Sequence, residues 1–255
     1  MSAADLLVVD RLEAGYGSTR VLKGITLNVA EGEAVAVLGA NGAGKTTLMK
    51  TIAGLIRPSA GRIEFDGRDI TGTDADERPA LGIALAPEGR EIFSSLSIEE
   101  NLLIGATALR RRCSASEAKQ RIAEGLERIY AMFPVLGKRR HDHGSDLSGG
   151  QQQMLAIGRA LVGQPKMLMF DEPCLGLAPK VGNEVYDVLR RLRAEGQSLI
   201  VVEESSRRAL EFVDRACVIK LGEKVIEDQA EAMQGDELLL EAYFGIGDSN
   251  GAESR

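Results

Sequence analysis

The chain has 255 residues, enough for one large domain or two small ones, and 44% of them are hydrophobic, so a sizeable core can form. A formal net charge of −7 and the lack of tryptophan argue against a protein that binds nucleic acid through a basic surface or stacked bases. Two histidines and three dispersed cysteines do not indicate a histidine-rich metal site or a disulfide framework, and reduced thiols in a cytosolic compartment are expected.

The first forty residues alternate short apolar runs with glycine turns, which is typical of strands. Candidate strands are Leu6–Val9, Val21–Leu22 and Thr26–Val29, and the fully apolar run Ala34–Leu38 predicts a buried strand. Tyr16 falls within the part that looks antiparallel. Its ring can be half-buried packing between strands, or it can offer an aromatic face to a nucleotide base.

A glycine-rich loop with the sequence GANGAGKT, residues 39–46, follows the buried strand and matches the P-loop pattern G-x-x-x-x-G-K-S/T. After it, Thr47–Ala53 predicts a helix that stops near Gly54 and Pro58. In this setting the glycines let backbone N–H groups face phosphate oxygens, and the helix N-terminus adds partial positive charge. Lys45 is predicted to reach the β- and γ-phosphates, and the Thr46 hydroxyl to ligate Mg²⁺. The residues predicted to contact the nucleotide here are Gly39, Asn41, Gly42, Ala43, Gly44, Lys45, Thr46 and Thr47.

The middle of the chain changes from strand-like to helical patterns. Gly61–Gly67 alternates like a strand that ends in an Asp-Gly turn, and Gly82–Ala86 predicts another buried strand. A loop, Pro87–Arg90, comes next. Residues 97–134 then carry helical character, with Ser97 as a predicted N-cap ahead of acidic residues.

The last part of the chain alternates helices with apolar strands. The predicted elements are, in order, a helix from Ser148 to about Val162, a strand Met167–Phe170, a helix Pro179–Ala194, a strand Leu199–Val202, two short strands within 217–227 and a short helix Glu237–Tyr243. Strands that alternate with helices imply a parallel sheet with right-handed crossovers, so the predicted fold class is α/β.

Two adjacent carboxylates, Asp171 and Glu172, end the predicted strand Met167–Phe170. A P-loop is expected to have a second acidic motif at the end of another buried strand. Asp171 is therefore predicted to hold the Mg²⁺ shell, and Glu172 to orient or deprotonate the attacking water. The alternative is that the two carboxylates only mark a turn at the strand end.

A second glycine-rich segment, Ser148-Gly149-Gly150-Gln151, stands at a predicted helix start. Its exposed N–H groups would make a second phosphate-facing surface. A nucleotide already held by the P-loop has no obvious need of this surface in the same chain. The segment makes sense if it covers ATP held by another copy, so all four residues are predicted to contact nucleotide.

In combination these motifs resemble those of the ATP-binding-cassette ATPases, from Leu6 to about Gly245. By that resemblance, Tyr16 matches the adenine-stacking aromatic, and residues 39–46 match Walker A. Residues 167–172 match Walker B, and residues 147–151 are similar to the signature motif. The resemblance implies a P-loop NTPase fold: a RecA-like core with an N-terminal antiparallel β subdomain and a helical subdomain.

The resemblance also implies how the chain is organised and what it works with. One ATPase domain is expected over 5–245, with the helical subdomain at about 89–160 and a flexible tail at 246–255. The implied active form is a head-to-tail dimer, homo- or heteromeric, with two ATP molecules and Mg²⁺ at its interface. The implied partners are integral membrane permease subunits and, indirectly, a periplasmic or extracellular solute-binding protein, with no nucleic acid. No apolar run approaches the about 18 residues of a membrane span. The resemblance implies that the chain is cytoplasmic and peripheral on the inner face of the cell membrane.

Several segments look like the ATPase subunits of branched-chain amino-acid importers. These are Ala86–Phe93, Gln152–Leu161, Asp171–Pro179 and Glu241–Gly245. The resemblance implies ATP hydrolysis that energises import of branched-chain or other hydrophobic amino acids. Urea and short-amide importers use very similar subunits, so they remain an alternative. A DNA-repair cassette would need a long coiled-coil insertion, and only about sixty residues separate Glu88 from Ser148.

Two positions depart from the general family pattern. Glu88 stands where most cassettes have a glutamine; a carboxylate can also ligate Mg²⁺ but adds negative charge. Glu204 stands where a switch histidine is usual. At an effective dielectric of about 20, two like charges about 4 Å apart repel each other by roughly 4 kcal/mol. Glu204 is therefore expected to turn away from the γ-phosphate, to be protonated, or to slow hydrolysis, which leaves a low-turnover ATP-binding protein as an alternative function.

Cys174 lies where the family has its D-loop. It is either a small-residue replacement for serine or a redox-sensitive thiol near the partner subunit. The sequence favours the first of these.

Overall fold

The computed structural model describes residues 5–204 and 207–235. The strands along this part of the chain are β1 (Asp5–Tyr16), β2 (Thr19–Ala30), β3 (Ala34–Leu38), β4 (Ala60–Phe65), β5 (Arg68–Asp69), β6 (Ile83–Ala86), β7 (Met167–Asp171), β8 (Ser198–Glu203), β9 (Arg215–Lys220) and β10 (Glu223–Gln229). The helices are α1 (Lys45–Ile52), α2 (Arg78–Leu81), α3 (Ile98–Gly105), α4 (Thr107–Arg112), α5 (Ala115–Met132), α6 (Pro134–Lys138), α7 (Gly149–Leu161), α8 (Pro179–Ala194), α9 (Arg207–Leu210) and α10 (Ala230–Gly235).

The strands form two sheets. One is antiparallel with four strands in the order β2-β1-β4-β5. The other has six strands in the order β10-β9-β3-β8-β7-β6, and its neighbours from β9 to β6 run parallel, while β10 returns antiparallel to β9. The predicted α/β class, with an antiparallel sheet formed by the N-terminal part, is confirmed.

The central strands β3, β7 and β8 are buried at every position. Strands covered on both faces are expected to be continuously apolar, which is the pattern of their sequences. Leu38 pairs with Glu203 and Asp171 pairs with Val202, so the carboxyl ends of the three strands meet at one edge. Ligands bind at this edge in open parallel sheets, because the loops that leave it lie side by side.

Two apolar clusters lie on the two faces of the six-stranded sheet. One joins the sheet to α1 and to the antiparallel sheet, and includes Leu48, Ile52 and Phe65. The other joins it to α3, α5, α7 and α8, and includes Leu102 and Leu189. The P-loop is therefore supported on one face, and the segment Ser148–Gln151 is carried by the helices of the other.

The predicted strand Ala34–Leu38 and the predicted helix Pro179–Ala194 are confirmed at the same residues. The predicted short strands before residue 30 are parts of the longer hairpin β1–β2. The helical character of 97–134 is divided among α3, α4 and α5. The predicted helix Glu237–Tyr243 and the predicted tail at 246–255 lie outside the described residues.

The region between β6 and β7 contains α3 to α7, and α7 packs very closely on α3. A Cβ at Gly105 would lie 1.8 Å from the carbonyl oxygen of Arg159, so only glycine fits there. None of the helices within 5–204 and 207–235 combines the length and apolar character that a membrane crossing requires.

Candidate nucleotide site

The loop between β3 and α1 is built around left-handed glycines. Gly42 has φ 80° and Gly44 has φ 111°, a region that other residues enter only with strain. Lys45, 4% exposed, turns back under the loop, where its Nζ donates to the carbonyl oxygens of Gly39 at 2.7 Å and Ala40 at 3.3 Å. The loop thus surrounds a buried ammonium group.

The carboxyl end of β7 supplies two carboxylates to this ammonium and to the neighbouring hydroxyl. Thr46 Oγ1 donates to Asp171 Oδ1 at 3.2 Å, and burial raises the pKa of the Asp171 carboxyl. Lys45 Nζ lies 3.3 Å from Glu172 Oε1, and both side chains are buried. A buried ion pair of this kind is costly to break by removing one partner, because the other charge is then left without compensation.

Glu172 has a backbone conformation that is rare for its residue type. Its φ is 49°, and its N–H donates to the carbonyl oxygen of Val202 at 3.0 Å. Left-handed residues other than glycine cost about 1–3 kcal/mol and persist where the surroundings fix them. The bond to β8 provides that support, and the turn directs the Glu172 carboxylate to Lys45.

A cavity of about 460 Å³ opens over these groups. The residues that line it are Tyr16, Val21, Asn41, Gly42, Gly44, Lys45, Thr46, Thr47, Glu88, Glu172 and Leu175. Tyr16, at the end of β1, is 53% exposed, so its ring is presented to the cavity and to solvent and is not buried packing. Two of the lining residues, Val21 and Leu175, are not among the predicted site residues. Leu175 lies in the segment Asp171–Pro179, and Val21 in a predicted strand, where only packing is expected of an apolar side chain.

Two predicted P-loop residues support the loop and do not line the cavity. Gly39 donates its N–H to the carbonyl oxygen of Glu204 at 3.3 Å. Ala43 accepts at its carbonyl oxygen from the N–H of Gly222 at 2.9 Å, and so ties the loop to the β9–β10 turn. Whether either contacts nucleotide stays a prediction.

The two consecutive glutamates at the end of β8 lie in opposite environments. The Glu204 side chain is exposed and is not among the residues that line the cavity. An exposed charge interacts by only up to about 1 kcal/mol, so the repulsion expected from the sequence alone is too large. Glu203 is 9% exposed, and its Oε1 accepts from the Tyr186 hydroxyl at 2.8 Å. Burial raises the pKa of Glu203 to about 7.

The predicted second phosphate-facing segment starts α7 but lies outside the cavity. Ser148 is the N-cap: its Oγ accepts from the N–H of Gln151 at 3.4 Å, and the Gln151 Oε1 accepts from the N–H of Ser148 at 3.1 Å. Ser148 is exposed, and Gly149 and Gly150 are half-buried. The four residues therefore form a separate surface that does not complete the cavity of their own chain.

Cys174 is half-buried, and its Sγ lies 3.7 Å from the carbonyl oxygen of Gly182. Burial raises the pKa of the Cys174 thiol to about 12. Because the thiolate is the reactive form, this environment favours the reading of Cys174 as a small-residue replacement.

The predicted magnesium ligands Thr46, Asp171 and Glu88 all come to this edge of the sheet. Within the described residues, no group of three or more His, Cys, Asp or Glu side chains could hold a metal ion by itself. Mg²⁺ is usually bound by one or two carboxylates together with substrate phosphates and water. The donor set therefore fits Mg²⁺ that arrives with a nucleotide.

The amino-acid sequence is similar to those of known proteins. The family model described as ABC transporter matches residues 22–175. The high-affinity branched-chain amino acid transport ATP-binding protein BraG of Pseudomonas aeruginosa is 36% identical over 240 residues, covering 94% of this chain and all of that protein. The lipopolysaccharide export system ATP-binding protein LptB of Haemophilus influenzae is 29% identical over 240 residues, covering 94% and 97%.

Solved structures agree with these relatives. The ADP conformation of an ATP-binding cassette of an ABC transporter superposes with a TM-score of 0.80 at 26% identity, covering 95% of this chain and all of that one. A dimeric cassette in a post-hydrolysis state, bound to ADP and phosphate, superposes with a TM-score of 0.72 at 26% identity, covering 88% and 98%. With a matching family model, full-length relatives and the same fold around the P-loop, the chain belongs to the ABC transporter ATP-binding subunits, a family of ATP-hydrolysing cassettes.

Proposed function

We propose that this ATPase energises the import of branched-chain or other hydrophobic amino acids. The observation that carries the ATPase part is the buried pair of Lys45 and Glu172, 3.3 Å apart under one cavity. The pair brings together a cation for the transferred phosphate and a carboxylate for the attacking water. The choice of solute is supported by the similarity to BraG. The cavity itself carries nucleotide-binding residues and gives no information about the solute.

In the proposed mechanism each group has one task. Tyr16 stacks on the adenine base, and the backbone N–H groups of residues 41–47 with Lys45 bind the phosphates. Thr46, Asp171 and Glu88 would hold Mg²⁺, which supplies charge neutralisation at the phosphates when bound. Glu172 orients or deprotonates water as the general base.

The second phosphate-facing surface, Ser148–Gln151, needs a partner subunit in this proposal. It does not line the cavity of its own chain, which supports a head-to-tail dimer in which each copy covers the nucleotide of the other. A solved cassette of the same fold is dimeric, which supports the same arrangement. The partner can be a second copy or a related ATPase subunit.

A groove lined in part by Pro87 and Glu91 is proposed to receive the membrane permease. It measures about 370 Å³, and its lining includes Leu55, Pro79, Glu91, Ile104 and Thr107. Leu55 is 60% exposed, so a partner seated in the groove would cover apolar surface there. The groove lies beside the loop that carries Glu88, so a permease there would be linked to the nucleotide cavity. The subunit would then sit at the inner face of the membrane, with a solute-binding protein as an indirect partner.

Reconstitution with permease subunits in proteoliposomes tests the proposal. We expect ATP hydrolysis that rises several-fold when a leucine-loaded solute-binding protein is added, together with uptake of labelled leucine. Stimulation by urea or a short amide, without response to leucine, would support the alternative solute. ATP binding without turnover, with or without the permease, would contradict the ATPase proposal and support a low-turnover ATP-binding protein.

Replacing the exposed carboxylate Glu204 by glutamine is expected to raise turnover modestly. The Glu204 backbone is bonded to the P-loop at Gly39, and removing its exposed charge is worth up to about 1 kcal/mol, or at most about fivefold. Steady-state hydrolysis of Glu204→Gln in the assembled transporter measures the effect, at low and at high salt, since screening should reduce it. A fall in turnover would refute the repulsion argument and give Glu204 a positive role.

A further inference from the structure

The guanidinium of Arg90 lies directly against Gly149, the first residue of α7. A Cβ added at Gly149 would lie 2.8 Å from Arg90 Nη1 and 3.4 Å from both Cζ and Nη2. The side chain of Arg90 thus occupies the space that any other residue at position 149 would need. No local sequence pattern links Arg90 to Gly149, since 59 positions separate the two residues.

The backbone around Arg90 is strained and is held by hydrogen bonds from Arg159 on α7. Gly89, Arg90 and Glu91 have φ values of 83°, 68° and 44°, three consecutive left-handed residues of which two are not glycine. Arg159 on α7 donates from Nη1 to the carbonyl oxygen of Glu91 at 2.7 Å and from Nη2 to that of Arg90 at 2.9 Å.

Arg159 also contacts Phe93, further along the same loop. The Arg159 guanidinium lies 5.4 Å from the centroid of the Phe93 ring, and the buried Asn101 bonds both the N–H and the carbonyl oxygen of Phe93 at 3.0 Å. The loop is therefore fixed by Arg159 and Asn101, without help from the side chain of Arg90. Such strain, maintained by the surroundings, is typical of functional loops.

The Arg90 side chain is half-buried, yet it makes no hydrogen bond or ion pair with residues 5–204 and 207–235. A guanidinium has five N–H donors, and a partly buried one usually has a carboxylate or carbonyl partner. The Arg68 side chain likewise makes no hydrogen bond or ion pair with the described residues, but it is exposed to solvent. Arg90 is thus a cation that lies beside the phosphate-facing segment with no anionic partner within the described residues.

The Arg90 guanidinium also lies beside the N-terminus of α7, which carries partial positive charge. The N–H groups of Gly149 and Gly150 precede the first intrahelical bond, which Gln152 makes to the carbonyl oxygen of Ser148 at 2.8 Å. A cation beside a helix N-terminus is unfavourable, since both are positive. The arrangement becomes favourable when an anion is placed between them, and the triphosphate of the second copy is the anion that the proposed dimer brings there.

We propose that Arg90 is a nucleotide-binding residue in trans, which donates to the triphosphate held by the P-loop of the partner subunit. Gly149 has no side chain so that the guanidinium can lie beside the N–H groups that face the same phosphates. This inference rests on the proposed head-to-tail dimer. It adds a charged contact to a surface that also offers backbone N–H groups, the Ser148 hydroxyl and the Gln151 side chain, whose Oε1 accepts from Arg139 Nη1 at 3.4 Å.

ATP-induced dimerisation of the purified chain tests the proposal, in a Glu172→Gln parent that is expected to retain ATP. We expect Arg90→Gln in this parent to raise the dissociation constant of the dimer about tenfold or more, as for loss of a hydrogen bond to a charged group. Sedimentation with ATP and Mg²⁺ measures it. Binding of a fluorescent ATP analogue at low protein concentration, where the chain is monomeric, should change less than about twofold, because the chain's own P-loop is intact. Arg68→Gln is the matched control and should dimerise like the parent.

Mixed dimers separate action in trans from action in cis. A chain with Lys45→Ala is combined with a chain carrying Arg90→Gln, so that the one intact P-loop faces the unaltered Arg90 of the other chain. Retention of one tightly bound ATP per mixed dimer is expected; its loss would overturn the proposal. Dimerisation of Arg90→Gln equal to that of the parent would overturn it as well, with the dimer itself intact. Failure of the Glu172→Gln parent to dimerise with ATP would instead contradict the proposed function, and this inference with it.

Discussion

Glu172→Gln is expected to reduce steady-state ATP turnover by at least about 100-fold, since general-base catalysis contributes roughly 10²–10⁴ in rate. The amide keeps the size of the side chain but cannot accept a proton from water. The carboxylate stands at the end of β7 on a left-handed residue fixed by Val202, so the substitution changes chemistry more than position. Hydrolysis in the assembled transporter is the measurement.

ATP affinity must be measured beside turnover, because Glu172 also pairs with Lys45 at 3.3 Å. We expect affinity to stay the same or to rise, since the glutamine competes less for the ammonium group. Glu184→Gln, an exposed position on α8, is the matched control and should hydrolyse ATP like the wild type. Unchanged turnover in Glu172→Gln would remove Glu172 from the role of base.

Glu203→Gln is expected to stabilise the fold increasingly as pH rises from about 5 to 8. Burial raises the pKa of Glu203 from 4.5 to about 7 in the folded protein. Below the lower pKa, the carboxyl is protonated in both the folded and the unfolded protein, and the free energy of unfolding is not reduced. Between the two values the unfolded chain releases the proton first, so stability falls as pH rises, and above about 7 the whole penalty of about 3 kcal/mol is present. Glutamine carries no charge and avoids this penalty.

Urea unfolding of both proteins at several pH values measures the effect as the difference in free energy of unfolding. We expect that difference to shift in favour of the variant by about 3 kcal/mol between the two ends of the range. Tyr186→Phe should extend the window to higher pH, since the Tyr186 hydroxyl bond lowers the pKa of Glu203. In Glu184→Gln the difference should stay constant across the range. A constant difference in Glu203→Gln would mean that its carboxyl is solvated.

The P-loop could be predicted from the sequence, because the residues that determine its conformation all lie in one short segment. The apolar run Ala34–Leu38, the glycines and Lys45 lie within 34–46, and they specify strand, loop and helix start together. The capping of α7 by Ser148 could also be predicted from local sequence, since its partner Gln151 is only three residues away. The apolar alternation predicts a β1–β2 hairpin shorter than the observed one, because polar residues and the left-handed Arg11 interrupt it.

Features that depend on distant packing could not be predicted. In β8 every position is buried, so alternation does not tell which of Glu203 and Glu204 points inward. The answer depends on where the strand leaves the sheet and on Tyr186, which belongs to α8. The contact of Arg90 with Gly149 is of the same type, since it depends on how α7 packs beside the loop that follows β6.

The surroundings of Lys45 imply an order of events. Its three N–H donors face the carbonyl oxygens of Gly39 and Ala40 and the carboxylate of Glu172. The two carbonyls belong to the loop itself, so the carboxylate is the acceptor that an incoming phosphate can displace. In the proposed mechanism, arrival of the triphosphate would therefore free Glu172 to act on water, and no water molecule would be activated before a triphosphate is bound.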